Sequence, residues 1–134
     1  MLKINNIFSL ILILINVFFL LYYSFQLLVF TDEFALQNVG FFNHAIAGLS
    51  EIIGIIFFSL ALGLVIILFI GLSKQYPLLI TIFLMEAIIA INFWRYVFTN
   101  SPGQIDINTI TFNACVFSII SLTMLILIFR TKYS

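Results

Sequence analysis

Charge is what this sequence has least of. Charged residues make up 7% of the 134-residue chain, against roughly 25% in an average soluble domain. With 64% of its positions hydrophobic, a soluble domain of this length could not hide its apolar surface, because a small core leaves much of the chain exposed. A soluble globule and a disordered chain are excluded on that ground. Neither sign of charge dominates. Five Lys and Arg balance five Asp and Glu, so no basic face exists to collect phosphates, and nucleic acid is not an expected partner. Cysteine is nearly absent too: the single Cys115 cannot close an internal disulfide and belongs to no metal or redox spacing. It reads as a small packing residue. Proline occurs twice, at Pro77 and Pro102, which leaves long stretches free to be helical.

Those stretches are apolar. A helix needs about 20 largely apolar residues to cross a bilayer core, and four segments provide them: 7–30, 45–72, 77–99 and 107–129. Strands isolated in lipid would leave backbone groups unpaired, so helices are expected. The fold class is therefore all-α integral membrane: one transmembrane domain over 1–134, built as an up-and-down four-helix bundle. Pro77 suits the first turn of a helix, and Pro102-Gly103 reads as a turn. The first segment is longer than a signal-peptide core and lacks an A-x-A-like cleavage site. It is expected to be retained, with Tyr22, Tyr23 and Gln26 as an interfacial anchor.

The connection 31–44 is the one sizeable extramembrane piece. Asp32 and Glu33 beside Thr31 favour the start of a short helix. Phe34, Leu36, Val39, Phe41 and Phe42 make the segment amphipathic, so it is expected to lie on the outer bilayer surface or over the bundle, with Gly40 breaking it. With four spans, Lys3, Lys74, Arg130 and Lys132 share one side. Arg95 lies on the other, near Asp32, Glu33 and Asp106. The positive-inside rule then puts both termini in the cytoplasm. The expected home is a bacterial plasma membrane, with an organellar inner membrane as the alternative.

Ionisable groups inside spans are costly and mark candidate sites. Glu86 falls about 14 Å into its span, level with Asn16, Gly63 and Ser121. A charged carboxylate at that depth needs a partner or a proton. Asn16 and Ser121 can each donate a hydrogen bond to it, so Glu86 reads either as a structural fastener or as a proton-carrying group. Nearer the other end, Glu51 and Arg95 reach similar depths, with Gln26 and Asn113 close by. His44 precedes Glu51 by seven residues, placing both on one helix face across small Ala47 and Gly48. His44, Glu51 and Arg95 are thus the candidate rim of a ligand pocket. The competing reading has Arg95 snorkelling beside Trp94 and Tyr96 at the interface. No H-x-x-H or E-x-x-H spacing appears, so no metal site is expected. The 17 phenylalanines read as lipid-facing bulk, and the steps Ser50/Gly54 and Ser59/Gly63 mark close helix packing.

The stretch Ala47-Gly48-Leu49-Ser50-Glu51-Ile52-Ile53-Gly54, followed by Leu62-Gly63, resembles the start of the second span in DoxX-like four-helix membrane proteins. The double glycine often found after the acid in that group is missing here. The resemblance implies a bundle with a longer first connection, and a lipid or quinone as bound group; it marks Glu51 and Gly54. Three functions follow from the whole sequence. The leading expectation is a non-catalytic accessory or assembly subunit of a larger membrane complex, with the bilayer and other membrane subunits as partners. The second is a DoxX-like lipid- or quinone-binding protein using the Glu51 layer. The third is a transporter or channel protomer with Glu86 on its path. No nucleophile–base pair or cofactor motif is visible, so catalysis by the chain alone is not expected.

Overall fold

A computed structural model describes residues 4, 6–73, 75–99 and 106–132, and these form five helices with no strand among them. In chain order they are α1 (Ile7–Leu28), α2 (Thr31–Asn38), α3 (His44–Ile70), α4 (Tyr76–Thr99) and α5 (Ile107–Lys132). The four long ones are apolar and long enough to cross a membrane. Lys3, Lys74 and the Asn100–Gly103 turn of the sequence argument lie outside the described residues.

Local chemistry sets each boundary. Asn6 caps α1 by accepting from Phe8 N at 3.0 Å, satisfying one of the free N–H groups of the first turn. Thr31 Oγ1 donates back to Leu27 O at 2.7 Å as the chain turns into α2, which carries Asp32 and Glu33 in its first turn. Gly40, at φ 85°, ends that helix in a conformation open to glycine. Asn43 then caps α3 by accepting from Ile46 N at 2.9 Å. At the other end of α3, Gly71 adopts φ 93° and stops the helix in the same way. Pro77 occupies the first turn of α4, where its missing N–H costs nothing.

Packing is uneven around the bundle. α1 runs along α3, α4 along α5, and α1 also meets α5, while α2 covers α1, α3 and α5 at one end. The α1–α3 contact is close at Gly54. A Cβ there would lie 2.8 Å from Leu28 Cγ, and the bare backbone accepts from Ser24 Oγ at 2.9 Å. That close approach gives the small residue a packing role. The core converges on Phe117 of α5. Its ring meets Tyr23 of α1 at 4.7 Å, Phe93 of α4 at 5.7 Å and Phe57 of α3 at 6.2 Å. One phenylalanine thus joins all four long helices. Phe57 and Phe117 are buried and Phe19, Phe34, Phe83 and Phe93 pack half-buried against the core, exceptions to the outward placement expected of the phenylalanines; Phe98, for example, is 80% exposed. Cys115 is exposed, so it does not pack inside as its size suggested. It stands two residues before Phe117 and therefore points away from the face that Phe117 buries.

Candidate functional site

Two polar regions lie within the bundle, at different depths. The first is at the α2 end, where a chain of hydrogen bonds crosses three helices. Tyr23 Oη on α1 donates to Asn113 Oδ1 on α5 at 2.7 Å. Asn113 Nδ2 donates to Asn38 Oδ1 on α2 at 2.6 Å, and Asn38 Nδ2 donates to Phe34 O at 2.9 Å. The chain ends on a backbone carbonyl one turn back along α2. It forms one wall of a cleft of about 350 Å³ between α1, α2 and α5. Tyr22, Gln26, Glu33, Gln37 and Thr109 also line this cleft. Gln26 and Gln37 bring amide groups that make no hydrogen bond among the described residues, so the cleft retains donors and acceptors for a ligand.

Beside it runs a second hollow of about 460 Å³, lined by Phe18, Leu21, Phe25, Leu28 and Phe58 and almost wholly apolar. Tyr22 lines both. A polar cleft and an apolar groove therefore meet along one tyrosine. Such a pair can hold a molecule with a polar head and an apolar body.

The second polar region is buried at mid-depth. Asn16, Glu86 and Ser121 are all inside, and Asn16 and Glu86 are 0% exposed. Their bonds differ from the expected ones. Asn16 Nδ2 donates to Leu12 O at 2.8 Å and to Thr123 Oγ1 at 2.9 Å, using both of its hydrogens. Ser121 Oγ donates to Ser118 O at 3.0 Å. Neither gives its proton to Glu86. The reason for Ser121 is general: a serine inside a helix has a backbone carbonyl one turn back within reach.

The structure does not assemble the rim expected from His44, Glu51 and Arg95. All three side chains are exposed, and no ion pair joins Glu51 to Arg95 among the described residues. The Arg95 guanidinium sits 5.0 Å from the ring centre of Tyr96, a cation–π contact on its own helix. The cause lies in packing. α3 and α4 are not among the closely packed helix pairs; Leu78 comes within van der Waals reach of Gly63, far along α3 from Glu51. Matching depths did not bring these two side chains together.

Sequence reasoning placed Asn113 and Gln26 near the right level and Tyr23 at the right end, but it missed Asn38. Its signal was slight: an amide at the last position of the short helix, just before Val39-Gly40. No group of three or more His, Cys, Asp or Glu able to hold a metal lies among the described residues. Set against protein-family models, curated proteins and solved structures, the chain matches none.

Proposed function

We propose that this chain is an integral membrane protein whose four long helices run up and down with both termini cytoplasmic, and that it binds an amphiphile, a lipid or a quinone, at the α2 end. The observation that carries the reading is the polar cleft opening beside the apolar groove across Tyr22. The head group takes the amides of Gln26 and Gln37; the apolar part follows Phe18, Leu21 and Phe25. The DoxX-like resemblance implies the same ligand class, although it placed the site at Glu51. The up-and-down arrangement is supported by chain length. Residues 100–106 link α4 to α5, and the eight steps from Thr99 to Ile107 reach at most about 29 Å extended. The 24 residues of α4 rise about 36 Å, so helices packed along their length must run in opposite directions. A bacterial plasma membrane is the proposed setting.

Purification in mild detergent tests the function. The wild-type chain is expected to carry a lipid or quinone in near-stoichiometric amount, and Gln26→Leu with Gln37→Leu to lose most of it. A ligand-free wild type would sink the reading. Reporter fusions at the C-terminus and within 31–44 test the topology separately. A C-terminal reporter active only outside the cytoplasm overturns the orientation.

A second reading, the accessory subunit, draws on the outward faces of α3 and α4. Glu51, Asn92 and Arg95 are exposed there, and only 22% of the most apolar window of α4 is buried. Polar groups on a lipid-facing surface gain from a protein neighbour. Stoichiometric partner proteins in the same purification would favour this reading.

A further inference from the structure

Mid-depth in the bundle, three buried oxygens have no hydrogen-bond partner among the described residues: Asn16 Oδ1 and both carboxyl oxygens of Glu86. Burying such atoms unpaired is costly. The amide of Asn16 cannot turn to relieve itself. Its Nδ2 is held by Leu12 O and by Thr123 Oγ1, so Oδ1 needs a donor from outside its own helix. The hydroxyls nearby are already engaged, Ser121 with Ser118 O and Thr123 with Ile120 O.

Two contacts along α5 set the relative heights of Asn16 and Glu86. Asn16 is level with Thr123 through their shared bond. Phe93 on α4 stacks on Phe117 of α5. Running back from Phe93 to Glu86 covers seven residues, about 10 Å. Seven residues onward from Phe117 reach Met124. Asn16 and Glu86 therefore lie within about one helical turn in depth, 5.4 Å. This step rests on the up-and-down arrangement proposed above.

The choice of occupant follows from counting ligands. Among the described residues, none at this level supplies a positive charge. On α4 the nearest cation is Arg95, nine residues or about 14 Å away and turned to Tyr96. The ionisable groups of α3, His44 and Glu51, lie near its start; on α5, Arg130 and Lys132 are at its end and Cys115 is exposed, while Asp106 precedes it, and Tyr22 and Tyr23 sit near the end of α1. An ionised carboxylate would lose its water with no compensation. Calcium or magnesium takes six or more oxygens, and three unengaged ones do not make that shell; zinc prefers His and Cys ligands, and no group of three or more His, Cys, Asp or Glu lies among the described residues. A proton requires only a donor oxygen and an acceptor.

We propose that Glu86 is a proton-binding site, a neutral carboxylic acid whose O–H is given to Asn16 Oδ1, directly or across one buried water, linking α4 to α1 through the middle of the bundle. One proton satisfies two of the three unpaired oxygens. It also supplies a tie between two helices that are not among the closely packed pairs. Neither Asn16 nor Glu86 lines the amphiphile cleft or the groove beside it.

Infrared difference spectroscopy on the purified protein at neutral pH tests this. Wild type minus Glu86→Gln is expected to show the carbonyl stretch of a protonated carboxylic acid, set apart from carboxylate bands. In Asn16→Leu, similar in shape, that band should move to higher frequency as its hydrogen bond is lost. Glu86→Gln controls for folding, because the new amide can still donate to Asn16 Oδ1. Carboxylate bands in place of the acid band would overturn the proton site. An acid band that Asn16→Leu leaves unmoved would overturn the partnership. Neither readout depends on sidedness, so a failed topology in the reporter experiment remains distinguishable.

Discussion

The two polar regions of this bundle contrast in how fully they are paired. At the α2 end, Tyr23, Asn113 and Asn38 pass hydrogen bonds from helix to helix until the chain closes on Phe34 O. At mid-depth, Asn16 and Glu86 leave three oxygens with no partner among the described residues. A closed network fixes a geometry, because its middle members, Asn113 and Asn38, are each held on two sides. An open one calls for a donor to complete it, which the proton proposed on Glu86 supplies. The first region therefore reads as a wall beside a ligand cleft, and the second as a place where protonation matters.

Phe117 separates the two regions and gives the largest expected effect. Its ring lies four residues from Asn113 and four from Ser121 along α5, one turn from each. Phe117→Ala would remove the ring that Tyr23, Phe57 and Phe93 share. A buried phenylalanine reduced to alanine costs about 3–5 kcal/mol. Unfolding titration in detergent should show a loss of that size, and the bound amphiphile should fall with it because Tyr23 loses its support. A loss below about 1 kcal/mol would mean that the core collapses around the gap.

Breaking the closed network ranks next. Asn113→Ala would leave Tyr23 Oη and Asn38 Oδ1 unpaired, for an expected cost of about 1–3 kcal/mol. Tyr23→Phe removes a donor and keeps the ring, so it should cost less, about 0.6 kcal/mol by the average for intramembrane hydrogen bonds. The order of the two, measured by the same titration, is the informative result. Equal costs would argue that the network gains nothing from being continuous.

The open region should respond less to a conservative change. Glu86→Gln keeps the shape and provides a donor to Asn16 Oδ1, so stability should move by less than about 1 kcal/mol. Glu86→Leu leaves Asn16 Oδ1 without any donor and should cost more than Gln. A larger loss for Gln than for Leu would reverse the comparison between the regions.

Much of the fold was legible because helix length and apolar character depend on local sequence alone. The four long helices begin and end close to the expected positions, with Asn43, Gly40, Gly71 and Pro77 marking limits. The shared mid-depth level of Asn16, Glu86 and Ser121 could be counted from the sequence, since rises along a helix give depth directly; that all three are buried needed the packing. Side-chain partners were not. Ser121 had a carbonyl of its own helix available, and no depth count reveals that choice. Glu51 and Arg95 shared a level but not a helix–helix contact, because level says nothing of which helices pack. Asn38 was invisible for the same reason: only the docking of α2 onto α1 and α5 brings its amide to Asn113.

The smallest expected effect is a pH dependence confined to the α2 end, and it bears on how the cleft is built. Asp106 precedes α5 and accepts from Thr109 Oγ1 at 2.9 Å and from Asn108 N at 3.1 Å. The Thr109 hydroxyl, followed by the Asn108 N–H, holds its carboxyl below the usual carboxylate range. The folded value thus lies below the unfolded one. Its contribution is complete above the unfolded value and disappears as pH falls through the folded value. Because the side chain is fully exposed, water screens the effect and it should be slight. Thr109 also lines the cleft, so loss of this cap on acidification loosens the wall from the α5 side. Asp106→Asn keeps an acceptor for the cap but removes the titration. Stability measured against pH should therefore show a flatter acid limb in Asp106→Asn than in wild type, with little difference near neutrality. Identical acid limbs would mean that the start of α5 is held by its packing and not by this carboxylate.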